Sequence, residues 1–351
     1  MKHVFLIIFI SVLSKVSVAE YNDKYVVGCK LPADAVITCP DSNPLRDALL
    51  PVPETAVFEM EGWALWDPSL IKVGDTYHLF CSRWSKEEDH KAPRDAWKKS
   101  HIIRATSKNL FGPYEFQEVV AEAKDHPWAK QGLHNPKITK VGDRFLLYHL
   151  GIPRWQTGFM FSDSVEGPWT PVSQPIVNAN NPALLIRDDG SAYMLSKFKR
   201  VNKKTGQRQN FMRAHEAADV NGPYTTLGDG GNRLPYDLEL EDPTIWWAND
   251  QYNVICTDWM GKVTGIQKSV VYYTSKDGIH YELYSTLPVW SQNDPIPMEG
   301  GDSRTVYKVE RPQVYVNDNG ELEALLVSVA KEPGKHDYIV IRPVDHFVPA
   351  N

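Results

Sequence analysis

One element recurs five times along this chain, and it leaves few folds open. WDPSLIKVGDTYHLFCSRW at 66–84 is echoed by HNPKITKVGDRFLLYHLGI at 134–152 and NNPALLIRDDGSAYMLSKF at 180–198. EDPTIWWANDQYNVICTDW at 241–259 and ERPQVYVNDNGELEALLVS at 310–328 complete the set. Each copy has a residue before proline, an apolar strand, a turn bearing Gly, Asp or Asn, and a second apolar strand, which is the pattern of a β-hairpin. The copies are spaced unevenly, 46 to 69 residues apart, but every interval has room for a third and fourth strand. FGPYEF (111–116), EGPWTP (166–171) and NGPYTT (221–226) read as outer-strand turns, and SKDGIHYELY (275–284) fills that place in the fourth unit. Helical periodicity is almost absent. A β-sandwich would not explain five copies. A five-bladed β-propeller does, with the innermost strand of each blade lining a central channel. The expected fold class is all-β: a propeller over 61–351 with a short N-terminal arm over 20–60.

In such a ring the starts of the innermost strands converge on one mouth of the channel. The residues before the five prolines are Asp67, Asn135, Asn181, Asp242 and Arg311, with His134, Asn180, Glu241 and Glu310 one step earlier. Proline is tolerated there because the first residue of a strand need not donate to the ladder. Asp and Asn at these positions serve either as turn caps or as chemical groups. For the acids the second reading is the stronger, since Asn would cap as well. Carboxylates crowded around one mouth raise each other's pKa, and a carboxyl pair flanking the scissile bond is the apparatus of glycoside hydrolysis.

The returning strands add a second ring. Arg83 and Trp84 are expected beside Asp67, Asp258 and Trp259 beside Asp242, and Lys197 and Phe198 near Asn181. With Trp66, these side chains would contact a sugar, whose faces are apolar and whose rim is polar. The tryptophans serve equally well as packing between blades. Two long loops, 85–100 and 196–209, are expected to wall the mouth into a closed-ended, exo-type site. The second is basic, with Lys197, Lys199, Arg200, Lys203, Lys204 and Arg208. It either reads a sulfated or uronic sugar or is a solvated loop.

The N-terminal MKHVFLIIFISVLSKVSVAE reads as a secretory signal with cleavage near Ala19, too short in its apolar run to span a bilayer. A secreted or periplasmic protein is expected. Removing Lys2 and Lys15 takes the net charge from −6 to −8. With no basic face for a phosphate backbone and no later apolar span, neither nucleic acid nor membrane insertion is expected. Of four cysteines, Cys29 and Cys39 are placed to form a bridge, while Cys81 and Cys256 occupy equivalent strand positions in non-adjacent units and are expected as buried thiols. The arm is expected either on the outside of the propeller or against a second copy of the chain, as a homodimer. Axial carboxylates and Asn oxygens suit a calcium ion, but no ligand spacing assigns one.

The WDPS opening, the EDP of the fourth unit and the VERP of the fifth resemble the five-bladed glycoside hydrolases of families 43, 32 and 117. The NDPNG and EC motifs of the invertase-like family 32 are absent. The chain looks most similar to family 117, the 3,6-anhydro-galactosidases, whose acids also lie in blades one, four and five. The resemblance implies Asp67 as general base, Asp242 as the acid that orients substrate and tunes pKa values, and Glu310 as third acid and candidate proton donor. Family 117 carries a histidine just before that glutamate, where this chain has Val309. The donor is then Glu310 itself, or another group such as His134, or the activity has diverged. The implied function is release of a terminal sugar from an oligosaccharide, an algal galactan or another acidic glycan among the candidates, by an inverting displacement. A retaining invertase-type enzyme and a non-catalytic sugar-binding propeller are the alternatives.

Overall fold

The structure is a computed structural model in which residues 37–38, 41–178, 180–201, 208–227 and 239–347 are described. The signal segment, Cys29, Cys39, Lys203 and Lys204 lie outside the described residues, as do the side chains of 198–201 and 208–211. The 29–39 bridge and the charges of Lys199, Arg200 and Arg208 therefore fall outside it too.

All five repeats fold as antiparallel hairpins, and each grows outward into a four-stranded sheet. Blade one runs Trp63–Val73, Thr76–Ser85, His101–Ser107 and Glu115–Ala121; blade two runs Gly132–Val141, Arg144–Ile152, Gln156–Ser162 and Thr170–Pro171. Blade three comprises Asn180–Ile186, Ala192–Val201, Arg208–Ala217 and Thr225–Thr226, and blade four Leu240–Ala248, Gln251–Asp258, Ser269–Ser275 and Glu282–Leu283. Blade five takes Lys308–Val316, Leu322–Ala330 and Tyr338–Phe347 and borrows its outermost strand, Val57–Phe58, from the N-terminal arm. This borrowing closes the ring, so the propeller begins upstream of residue 61. Asn43 Nδ2 donates to the Leu287 carbonyl at 2.8 Å, and Arg46 pairs with Asp294 at 2.6 Å, tying the arm to the loop after blade four.

Strand alternation sends successive side chains to opposite neighbours, so apolar cores form between blades. Phe80 and Ile102 of blade one meet Leu133, Leu147 and Met160 of blade two, and Leu146 and Phe159 meet Ala192 and Met194 of blade three. Cys81 packs in the core shared by blades one and five, Cys256 in that shared by blades three and four, both as buried free thiols. Each buried aliphatic or aromatic side chain contributes about 1.5–3 kcal/mol.

The X-Pro steps differ from expectation in an informative way. They do not begin the innermost strands; they lie inside them, at bulges where the pairing register shifts, between Trp66 and Ser69 in blade one and equivalently in the other four. A bulge leaves its extra residue unpaired, so proline there costs no ladder bond. All five residues before proline adopt left-handed backbone: Asp67 (φ 57°), Asn135 (51°), Asn181 (47°), Asp242 (55°) and Arg311 (57°). Asp and Asn tolerate that conformation better than other non-glycine residues, which explains four of the five.

Two expected loops also differ. Residues 85–100 form short helices, Lys86–Lys91 and Pro93–Ala96, the first capped by the Ser85 hydroxyl accepting from the Glu88 amide at 3.3 Å. Of the basic stretch 196–209, the described residues 196–201 and 208–209 continue the blade-three hairpin, with Lys199 paired to Asn210 and Val201 to Arg208.

Candidate active site

Around the axis the five bulges bring charged groups into contact. Asp67 and Asp242 are buried, and the Arg311 guanidinium lies between them, paired to Asp242 through Nη1 and placed with Nε 3.1 Å from Asp67 Oδ1. That second approach is off the N–H direction, so it is an ion pair without a hydrogen bond. Asp67 Oδ2 accepts from the Ser82 hydroxyl at 2.8 Å and from the Asn135 amide at 3.0 Å, with His134 Nε2 at 3.1 Å. The Asn181 amide donates to Asp242. Burial, helped by Glu241 and Asp67, raises the Asp242 pKa against the pull of Arg311 and Lys197. Arg311 is held charged by these carboxylates in spite of its burial.

Below this layer the Lys137 ammonium bonds the Pro243 carbonyl and lies 3.4 Å from the Thr244 hydroxyl. Burial lowers its pKa to about 7, opposed by Asp242 and Asp67. Arg311 supplies the axial carboxylates Asp67 and Asp242 with the positive partner that a divalent ion would otherwise supply. Among the described residues no three His, Cys, Asp or Glu side chains are grouped to hold a metal ion.

Above the layer opens a cavity of about 260 Å³. Its walls are aromatic, with Trp66, Trp97, Trp155 and Trp259, and its polar lining includes His134, Asn181, Lys197, Glu241, Lys308, Glu310, Arg311 and His336. The plug formed by Arg311 and Lys137 separates it from a wider depression of about 430 Å³ at the opposite mouth. That depression is larger, but Asp318 is the one carboxylate in its lining, so the smaller cavity is the candidate site.

Of the carboxylates expected at the site, Glu241 and Glu310 line the cavity while Asp67 and Asp242 lie beneath it. Glu241 is paired with Lys197. Glu310 lies 3.2 Å from Lys268 Nζ, and its Oε1 has no aligned donor among the described residues, leaving an acceptor beside the cavity. Burial pushes the Glu310 pKa up, but Lys308, Lys268 and Arg311 outweigh it and hold it down to about 2. A carboxylate so placed is an anion at any working pH and is unsuited to donating a proton. His134 is wedged between the Trp84 and Trp97 rings and reaches the Ser100 hydroxyl through Nδ1 at 2.9 Å. Burial, only partly opposed by Asp67, drives its pKa to about 4 and keeps it neutral.

Trp66, His134, Asn181, Lys197, Glu241, Trp259, Glu310 and Arg311 gather at the cavity as the sequence implies. Four others do not. Arg83 turns away, its guanidinium 4.0 Å from the Trp63 ring centre and its Nε bonded to His101 at 2.9 Å, because strand alternation puts Ser82 and Trp84 on one side and Arg83 on the other. Asp258 accepts from the amides of Lys262, Val263 and Thr264 and so folds the 259–268 loop, which carries Trp259 and Lys268 to the site. Burial raises its pKa to about 6 against those bonds. Asn135 supplies its backbone amide to Asp67, while its side-chain nitrogen has no partner among the described residues. Trp84 backs the cavity wall, its Nε1 donating to Asp89 at 3.0 Å. Sequence reasoning missed Trp97, Trp155, Lys268, Lys308 and His336. Only Trp97 carried a signal, lying in the loop expected to wall the mouth.

No family profile matches the chain. Over 145 residues, 39% of the chain, it is 28% identical to the xylosidase/arabinosidase 43A of Humicola insolens, and the match spans 43% of that protein's length. Among solved structures it is similar to the family 117 glycoside hydrolase Zg3597 of Zobellia galactanivorans (TM-score 0.58, 14% identity, 85% of this chain and 89% of that one). It is also similar to the GH43_1 enzyme of Xanthomonas citri solved with xylose (TM-score 0.58, 16% identity, 87% and 93%). A third is CoXyl43, a β-xylosidase/α-arabinofuranosidase from a compost metagenome (TM-score 0.56, 16% identity, 83% and 95%). At these identities the likeness establishes the shared five-bladed propeller fold.

Proposed function

We propose that this protein is an exo-acting glycoside hydrolase that removes one terminal sugar from an oligosaccharide. The observation that carries the reading is the cavity of about 260 Å³, closed below by Arg311 and Lys137, walled by tryptophans and edged by the ionised Glu310. Its volume is just under the range of about 300–1,000 Å³ usual for whole small-molecule sites, which suits one sugar ring entering chain-end first. Lys197, Lys268, Lys308 and Arg311 around it favour a sugar that carries a carboxylate or sulfate.

In this reading Glu310 accepts the proton of the attacking water. The role implied for Asp67 by resemblance, general base, would require water to pass Arg311 and His134; buried as it is, Asp67 instead anchors Arg311 over the floor. The inverting course remains the proposed stereochemistry. The test is a screen of oligosaccharides and aryl glycosides covering arabinofuranosides, xylosides, galactans and uronic or sulfated sugars, with the first-formed anomer followed by NMR. Release of single terminal sugars with an inverted anomer is expected. A retained anomer would make Glu310 a nucleophile, and binding with no hydrolysis across the panel would reduce the protein to a sugar-binding propeller.

Trp155 stands at the lip, 39% exposed, edge-on to Trp97 with ring centres 5.5 Å apart. An aromatic pair there offers a stacking platform for the leaving part of the chain. Replacing Trp155 by Ala is expected to raise KM for an oligosaccharide about tenfold with kcat changed less, since tenfold corresponds to about 1.4 kcal/mol. Equal KM values for wild type and variant would remove Trp155 from the site.

A further inference from the structure

We propose that His336, oriented by Asp89, is the group that protonates the departing glycosidic oxygen, an assignment that rests on the hydrolase reading above. His336 lies in the turn between Leu322–Ala330 and Tyr338–Phe347 of blade five and lines the same cavity as Glu310. Its Nδ1 is 2.8 Å from Asp89 Oδ1, and its backbone amide donates to Asp89 Oδ2 at 3.0 Å. Asp89 is wholly buried and takes a further bond from Trp84 Nε1. Two bonds to one carboxylate fix both the backbone and the ring of His336. The ring is further clamped edge-on against Trp66, with centres 4.6 Å apart, and against Trp84 at 5.1 Å.

With Nδ1 committed to Asp89, Nε2 is the free nitrogen, and it makes no hydrogen bond among the described residues. A buried carboxylate holding one imidazole nitrogen while the other faces a cavity is the arrangement of a proton-transfer histidine. The charged and titratable groups that face His336 are Asp89, Lys308, Glu310 and His134. Burial and Lys308 lower its pKa, while Asp89 and Glu310 oppose them. His336 is thus lowered from its ordinary value by burial and Lys308, while Glu310 is held down to about 2, which leaves Glu310 as the base and His336 as the group that can carry a proton.

The step balances. As the bond from the anomeric carbon to oxygen breaks, the leaving oxygen keeps the electron pair and takes the Nε2 proton. Water adds its oxygen to the anomeric carbon and gives its proton to Glu310. His336 therefore donates as imidazolium; afterwards Glu310 releases its proton to solvent and neutral His336 takes one up at Nε2, restoring both groups.

The experiment compares wild type with His336→Gln on two leaving groups of the same sugar, a 2,4-dinitrophenyl glycoside that needs no protonation and an oligosaccharide that does. The expected loss in kcat/KM is about 10²- to 10⁴-fold for the oligosaccharide, under tenfold for the aryl glycoside, with the alkaline limb of the pH profile abolished. Equal losses on both, or an unchanged alkaline limb, overturn the proposal. Asp89→Asn keeps the shape and removes the charge that supports imidazolium, so it is expected to move that limb to lower pH; a stationary limb also overturns it. Imidazole NMR of the unliganded protein needs no turnover. A His336 signal that titrates below pH 6.5, and lower still in Asp89→Asn, is expected. A ring that fails to titrate between pH 4 and 8 sinks the donor role, whereas failure of wild type on every glycoside sinks the hydrolase reading alone.

Discussion

Glu310→Gln is expected to cut kcat/KM by about 10²- to 10⁴-fold, the range for losing a positioned proton acceptor. The substitution keeps the side chain's length and removes its charge. In the native protein that charge faces Lys268 at 3.2 Å and is supported by Lys308 and Arg311. The same contacts make Glu310 matter for stability. Its folded pKa, about 2, lies below the unfolded value, so ionised Glu310 stabilises the fold above the unfolded pKa, and that contribution is lost as pH falls toward about 2. The variant is therefore expected to melt below wild type at pH 7, with the gap closing in acid. Activity is compared at a temperature where circular dichroism shows both proteins folded. Turnover within threefold of wild type under those conditions would remove Glu310 from the reaction. In wild type the acid limb of the pH profile should lie at the edge of the folded range, leaving the alkaline limb as the visible transition.

The architecture was legible because one hairpin is written five times, and a period of that kind has few spatial solutions. Asp67, Asp242 and Glu310 could be read to the same end of the channel for the same reason. What escaped the reading depended on details without periodicity. The bulge at each X-Pro step turns the backbone left-handed, so Asp and Asn recur there partly because the backbone favours them. The choice between acid and amide carries chemistry, whereas the class of residue carries structure. Arg83 was misplaced by one step of strand parity, which a bulge makes easy to miscount. Asp89 and His336 lie 247 residues apart, in blades one and five, and meet where the ring closes, a closure to which two residues of the arm, Val57 and Phe58, contribute the outermost strand. Two residues are too short a signal to read as a strand, and a pair that depends on closure has no trace in any single repeat.

Arg311→Met is expected to be the most destabilising of these substitutions, by about 3–5 kcal/mol at pH 7, the cost of leaving buried charges unpaired. Arg311 departs from the Asp/Asn pattern, and at φ 57° it bears a backbone conformation costing about 1–2 kcal/mol. It persists there because its guanidinium sits between Asp67 and Asp242, both buried. Methionine fills the volume but leaves the two carboxylates facing each other without the guanidinium between them. Asp242, already raised by burial to about 7 against the pull of Arg311, would then rise further. The penalty is fully expressed near neutrality and shrinks as pH falls and the carboxylates protonate. A melting temperature lower by on the order of 10 °C at pH 7 follows, with a smaller deficit at pH 4. Arg311→Asn separates backbone from charge, since it relieves the left-handed strain and still removes the cation. It should recover about 1 kcal/mol relative to Met and no more. Adding Asp242→Asn to Arg311→Met removes one of the stranded charges and should restore part of the loss, which a double-mutant cycle reads as coupling. If Arg311→Met melts with wild type, or if its deficit is the same at pH 4 and pH 7, the axial cluster is not held by charge, and the floor of the cavity must be explained by packing alone.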